Sequence, residues 1–222
     1  MPKQALNDPD VRELLLPFIR QEHAESSNIL LVEEFAIYGG ANRADIAAFN
    51  GTSHGYEIKS DRDTLDRLPS QVDAYGAIFE RATLVSGPRH LDCARDIVPK
   101  WWGIVEVQSG NDGGGLLYRI REAQPNPAPC AVSIASLLWR PELLELLSKL
   151  GLDMGVRSKP NETLVRLLAT HVETARLSFY VRETLRSRGD WRSAAQLKQY
   201  DDSFPPPARR SRFRTPYASI YR

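Results

Sequence analysis

Between Glu33 and Lys59 the chain reads EEFAIYGGANRADIAAFNGTSHGYEIK, and this stretch decides the fold. Ile29 to Tyr38 is rich in apolar and β-branched residues and ends at Gly39-Gly40, which predicts a first strand. Ala44 to Phe49 predicts a second, closed by Asn50-Gly51, a strong hairpin dipeptide. His54 to Lys59 predicts a third. The three form an antiparallel meander. Side chains alternate along a strand, so Glu57 and Lys59 share one face and Ile58 takes the other. A hairpin turning near Asn50 to Ser53 places Asp45 beside Glu57, and Glu34 on the preceding strand joins them.

Working outward, Asp10 to Ala24 has the spacing of an amphipathic helix through Val11, Leu14, Leu15, Phe18 and Ile19, with Asp8 or Asp10 as N-cap. Pro17 predicts a kink or a split there. Asp61 to Arg81 predicts a long helix whose stripe is Leu65, Leu68, Val72, Tyr75, Ile78 and Phe79, capped by Asp61 or Asp63 and disturbed at Pro69. A short strand over Ala82 to Ser86, a helix over Arg89 to Val98, and strands over Trp102 to Val107 and Leu116 to Arg121 follow, with a turn at Ser109 to Gly115. The fold class is mixed α/β, a sheet flanked by helices, over residues 1–123.

Gln124 to Pro129 carries three prolines, and residues 124–132 are expected to form a linker. A basic helical extension is expected over 133–203, with helices at Ile134 to Leu138, Glu142 to Leu150, Glu162 to His171 and Val172 to Arg188. Residues 204–222 contain five arginines, three consecutive prolines and no acid, and are expected to be a disordered tail.

The 222 residues are 42% hydrophobic and 26% charged, which excludes a mostly disordered chain. No apolar run is long enough to span a bilayer and no apolar signal core opens the chain, so no membrane and a cytoplasmic location are expected. Cys93 and Cys130 lack Cys-x-x-Cys spacing, which argues against a disulfide framework or a structural zinc site. The net charge of +1 conceals an asymmetry. Residues 1–122 hold 13 Lys and Arg against 19 Asp and Glu; residues 123–222 hold 16 against 9. An acidic half can hold a cation and a basic half can meet a polyanion.

Clustered carboxylates repel one another unless a cation compensates them. Carboxylate oxygens with room for water suit Mg²⁺ or Mn²⁺. Such an ion polarises a phosphoryl oxygen, and Lys59 on the same face can orient a bound water. The plain alternative is a salt-bridge set on a solvated sheet, worth ~1 kcal/mol or less. Glu33, Glu13 or Glu25 could replace Glu34 as the upstream acid. Asp61 and Asp63 could cap a helix or bind metal, and Arg43 could pair with Asp45 or contact phosphate. The histidines show no ligand spacing. Trp101 and Trp102 are expected in the core.

The ordered set of Glu34, Arg43-Ala44-Asp45, Glu57-Ile58-Lys59 and Gln71-x-x-x-Tyr75 resembles the PD-(D/E)XK nuclease superfamily, in its RecB-like branch. Residues Glu57 to Leu68 also look like a bacterial family of predicted nucleases with no settled role. The resemblance covers roughly residues 10–108. It implies a restriction-endonuclease-like core and a metal-dependent nuclease hydrolysing phosphodiester bonds, of DNA in the first instance. It assigns Asp45, Glu57, the Ile58 carbonyl and Glu34 to Mg²⁺ or Mn²⁺, Lys59 to the attacking water, and Gln71 and Tyr75 to fixing Lys59 or phosphate. Arg43 and Arg62 are expected to contact nucleic acid, and a homodimer is one assembly the reading admits. The rival expectations are a non-catalytic nucleic-acid-binding subunit and an effector acting on RNA.

Overall fold

The computed structural model describes residues 6–24, 29–110 and 114–188. Six strands form one sheet in the order β1-β2-β3-β4-β5-β6. They are β1 (Leu30–Ile37), β2 (Asn42–Phe49), β3 (Ser53–Lys59), β4 (Arg81–Ser86), β5 (Gly103–Ser109) and β6 (Gly115–Arg121). The first three make the expected antiparallel meander, with Leu30 opposite Phe49 and Ile46 opposite Tyr56. β3, β4 and β5 run parallel, and β6 returns antiparallel to β5. Parallel neighbours need crossovers, which α2 (Leu68–Ile78) and α3 (Leu91–Ile97) supply.

One face of the sheet is covered by α1 (Asp8–Glu22), which buries Val11, Leu15 and Ile19 against Ile46, Tyr56, Ile58, Val85 and Val105. Pro17 does not split this helix, which runs as one element from Asp8 to Glu22. Its ring lies on the exposed side, while the buried stripe and a reciprocal cap hold the helix together. The cap is Asn7, not Asp8 or Asp10: its side chain accepts from the Asp10 amide, and Asp10 accepts in return from the Asn7 amide.

The helix expected over Asp61 to Arg81 is shorter at both ends. Asp63 accepts from the amide and hydroxyl of Ser60 at 2.7 Å, which closes a local turn. Asp61 accepts from the Arg89 amide and fills the space that a Cβ on Gly87 would need. Neither caps a helix. Pro69 lies in the first turn of α2, where a missing N–H costs nothing, so it starts the helix it was expected to disturb.

The C-terminal helices α4 (Ala131–Ala135), α5 (Arg140–Lys149), α6 (Asn161–His171) and α7 (Thr174–Ser187) join α2 and α3 on the other face. Ile134, Leu138, Leu147, Leu168 and Leu185 belong to the same apolar cluster as Phe35, Phe49, Tyr75 and Trp102. The proline-rich segment is pinned to this layer. Asn126 donates to the carbonyls of Gly76 and Phe79, and the Cys130 amide donates to Ala77. Arg182 of α7 pairs with Glu80 at 2.7 Å, and Glu80 also accepts from the Ser53 amide at the start of β3. The helical stretch expected beyond residue 188 and the Arg-rich tail lie outside the described residues. Among those described, no helix is long and apolar enough to cross a membrane.

Gly55 sits where β3 passes under α2. A Cβ there would stand 2.6 Å from the Phe79 ring and 2.8 Å from the Tyr75 ring. Both rings are fully buried, so neither can give way cheaply. Gly55→Ala is expected to destabilise the chain by about 1–3 kcal/mol in urea denaturation. An unchanged midpoint would show that the α2–sheet contact is looser than described.

Candidate functional site

Period-2 alternation delivers Glu57 and Lys59 to the α2 side of the sheet, as the sequence predicts. Glu57 is fully buried and Lys59 nearly so, and the Lys59 ammonium donates to Glu57 Oε1. The other Glu57 oxygen accepts from the Tyr75 hydroxyl at 2.7 Å. The same hydroxyl lies 3.3 Å from the Asp45 amide, which donates to it. Gln71 lies close enough to favour the Glu57 carboxylate, and its own Oε1 is buried with no partner. The four-residue step from Gln71 to Tyr75 puts both on one side of α2.

Asp45 lies one residue before Ile46, whose pairing with Tyr56 is the last between β2 and β3. Its Oδ2 accepts from the Ile58 amide at 2.7 Å, extending the meander's contact by a side chain. Its side chain is 19% exposed, so the cluster is open on this side. Burial, then the nearby Glu57 charge, pushes the Asp45 carboxyl up to about 7. Burial likewise raises Glu57, against the pull of Lys59, Tyr75 and Gln71. The Tyr75 hydroxyl is raised well above its ordinary value, chiefly by burial and then by the two carboxylates, so it stays protonated and donates.

The structure therefore brings together Asp45, Glu57, Lys59, Gln71 and Tyr75. It treats Glu34 differently. Glu34 lies between the paired positions Glu33–Ile46 and Phe35–Ala44, which places it across from Asp45. Its φ of 52° is the left-handed conformation, at a cost of order 1 kcal/mol or more. The side chain is half exposed and turns to Arg12 at 2.6 Å and Arg43 at 3.6 Å. Arg43 therefore pairs with Glu34, and not with Asp45, and stays 62% exposed. Arg62 is exposed in the turn after β3. Trp101 and Trp102 are core residues, as expected.

Arg12 is the residue that sequence reasoning missed. From α1 it donates to Glu34, to Asp45 Oδ1 at 3.2 Å and to the Asp45 carbonyl at 2.8 Å, while Asp8 steadies it at 2.5 Å. The available signal was a cation flanking the buried stripe of an otherwise acidic helix start. Among the described residues, no three Asp, Glu, His or Cys side chains gather closely enough to cage a metal by themselves. A cation here would rest on Asp45, Glu57, the Ile58 carbonyl and water. Cys93 and Cys130 are free thiols.

The model of the family described as Bacteriophage P4 protein cII matches residues 1–204. A curated relative, Protein cII of Enterobacteria phage P4, is 24% identical over 188 residues, spanning 83% of this chain and 69% of its own length. No solved structure matches the chain. These matches correct the nuclease expectation. They lead to a phage protein family and to no PD-(D/E)XK or other nuclease family, so the recognition and the phosphodiester-hydrolase activity inferred from it are withdrawn. A hairpin register and a crossover helix are enough to bring these residues together, and that geometry does not by itself identify a family. The match along nearly the whole chain settles the family: this protein belongs to the bacteriophage P4 protein cII family.

Proposed function

We propose that this member of the family is a divalent-cation-binding protein with a binding and regulatory role, in which the Asp45–Glu57 pair takes up Mg²⁺ or Mn²⁺ and so tunes the hold of the neighbouring surface on nucleic-acid phosphate, DNA in the first instance. One observation carries the reading. Two carboxylates are buried in a single hydrogen-bonded cluster, and burial raises both toward protonation. A group held in that state binds either a proton or a metal ion.

The residues fit a small hard cation. Asp45, Glu57 and the Ile58 carbonyl offer oxygen, and the partnerless Gln71 Oε1 supplies another acceptor for the ion or for a water on it. A short protein ligand set suits Mg²⁺, which keeps several of its waters. Lys59 and Arg12 already offset part of the negative charge, so the ion competes with them and binding is expected to be weak. Arg43 and Arg62 are exposed on strand β2 and after β3, where they can meet a phosphate backbone without reading its sequence. The basic C-terminal half contributes less than its charge suggests, because Arg182 and Arg188 are spent on the internal partners Glu80 and Glu142.

Two outcomes follow. The first concerns protons alone. Between about pH 4 and 7 the folded chain holds a proton on Asp45 that the unfolded chain has released, so this group's contribution to stability falls as pH rises through that window. His54 works in the opposite sense, its pKa being lowered to about 3 by burial, but it does so in wild type and variant alike. In chelator, the stability of Asp45→Asn relative to wild type is expected to increase from pH 5 to pH 8, by up to about 2.5 kcal/mol in urea denaturation. A pH-independent difference would show that Asp45 is not the titrating group.

The second concerns the cation. Millimolar Mn²⁺ is expected to raise the melting temperature of the wild type, more at pH 8 than at pH 5.5, and to leave Asp45→Asn and Glu57→Gln unmoved. In fluorescence anisotropy with duplex DNA, Mn²⁺ should tighten binding several-fold. Arg43→Ala and Arg62→Ala should each weaken binding uniformly across sequences and lower the salt slope by roughly 1. A Mn²⁺ shift of equal size in Asp45→Asn would falsify the assignment.

A further inference from the structure

A second polar site lies on the opposite face of the sheet, under α1, at the end of β3 remote from Lys59. There a cavity of about 160 Å³ is lined by His54, Arg81, Thr83, Arg119, Arg121 and Glu122, with His23 and Glu22 at its α1 side. Water occupies ~30 Å³ per molecule, so the space suits a phosphate group and a small body attached to it.

The hydrogen bonds around the cavity form one ordered chain. Asn50 Oδ1 accepts from the Thr52 amide, which fixes its amide nitrogen toward His23 Nδ1 at 2.7 Å. His23 Nδ1 is then the acceptor, and its Nε2–H faces the Tyr56 hydroxyl at 3.4 Å. The Tyr56 hydroxyl donates to Glu22 at 3.0 Å, and Glu22 is ion-paired with Arg119. With the Tyr56 proton committed, the contact from His54 Nδ1 to that hydroxyl makes Nδ1 the donor, and His54 Nε2 accepts from Thr83 at 2.8 Å. Both histidines are neutral in this arrangement. His54 is 7% exposed, and burial, His23 and Arg81 together lower its pKa.

The charges do not balance. Arg119 takes up both nearby carboxylates, Glu22 and Glu122, the latter at 2.7 Å. Arg81 donates to the Ala123 carbonyl, and Arg121 to the carbonyls of Trp102 and Pro99. Among the described residues, neither Arg81 nor Arg121 has a carboxylate partner, and Arg95 adds a further positive charge near Arg121. Two guanidinium groups with donors to spare, beside a cavity and two neutral histidines, are complementary to a tetrahedral oxyanion.

We infer that this cavity is a binding site for the phosphate group of a small molecule, held by Arg81 and Arg121 beside His54 and Thr83. The site is independent of the Asp45–Glu57 centre: it lies on the other face of the sheet and uses none of its residues. Free phosphate and a nucleotide phosphate share the chemistry, and the experiment separates them.

Isothermal titration of the full chain with inorganic phosphate and, separately, with a nucleoside monophosphate tests the inference, with sodium chloride at matched ionic strength as the control. Saturable binding of at least one of the two is expected, tenfold or more weaker in Arg81→Gln and in Arg121→Gln, and unchanged in Lys149→Gln, an exposed position on α5. Tighter binding of the monophosphate would identify the nucleotide as the occupant. Because both arginines also hold backbone carbonyls, amide NMR shifts of the unaltered protein give a second readout: phosphate should move Thr83, Ala123 and their neighbours. Absence of saturable binding, equal affinity in both arginine variants, or shifts confined to the Asp45 end of β3 would each overturn the inference.

Discussion

Two carboxylates buried side by side are a liability in any fold, and here much of the surrounding structure is arranged to contain them. Glu57 has no exposure and Asp45 little. Lys59 answers Glu57 from two residues along the same strand, Arg12 answers Asp45 from α1, and the Tyr75 hydroxyl ties the Glu57 carboxylate to the Asp45 backbone amide. Removing one partner from such a set leaves an uncompensated buried charge, which is why its members act together. Gly55 belongs to the same arrangement, since only a missing side chain lets the Tyr75 and Phe79 rings lie against β3. The backbone of the sheet and the chemistry of the cluster are thus one constraint.

The C-terminal helices extend this logic to the rest of the chain. Their apolar residues complete the layer that carries Tyr75, and the Glu80–Arg182 pair ties α7 to the beginning of β3. Arg188 packs over the Trp139 ring at 4.1 Å and pairs with Glu142. Two of the cations that set the second half of the sequence apart, Arg182 and Arg188, are therefore internal structure.

The meander was legible because alternation and the Asn50-Gly51 turn are local signals, and they fixed the approach of Asp45 to Glu57. Other features depend on contacts that local patterns do not encode. Leu65 and Leu68 fit helical spacing, but Asp61 and Asp63 spend their carboxylates on the Arg89 amide and on Ser60, so the helix begins later, at Leu68. Arg12 reaches Asp45 across 33 positions, and its role follows only from the packing of α1. Glu34 is in register with Asp45 yet turns outward through a left-handed backbone. The family was misread for a different reason. A handful of polar residues at one end of a hairpin records proximity in space, whereas a family is shown by a match along the chain, and residues 1–204 match the phage P4 protein cII family.

The central claim is that Asp45 and Glu57 jointly coordinate a divalent ion, and anomalous diffraction from crystals soaked in Mn²⁺ tests it most directly. The account predicts a manganese peak between the two carboxylates, about 2.0–2.3 Å from an oxygen of each and close to the Ile58 carbonyl. A peak at another site, or an Asp45–Glu57 cluster that stays free of manganese at pH 8 in crystals that bind it elsewhere, would contradict it.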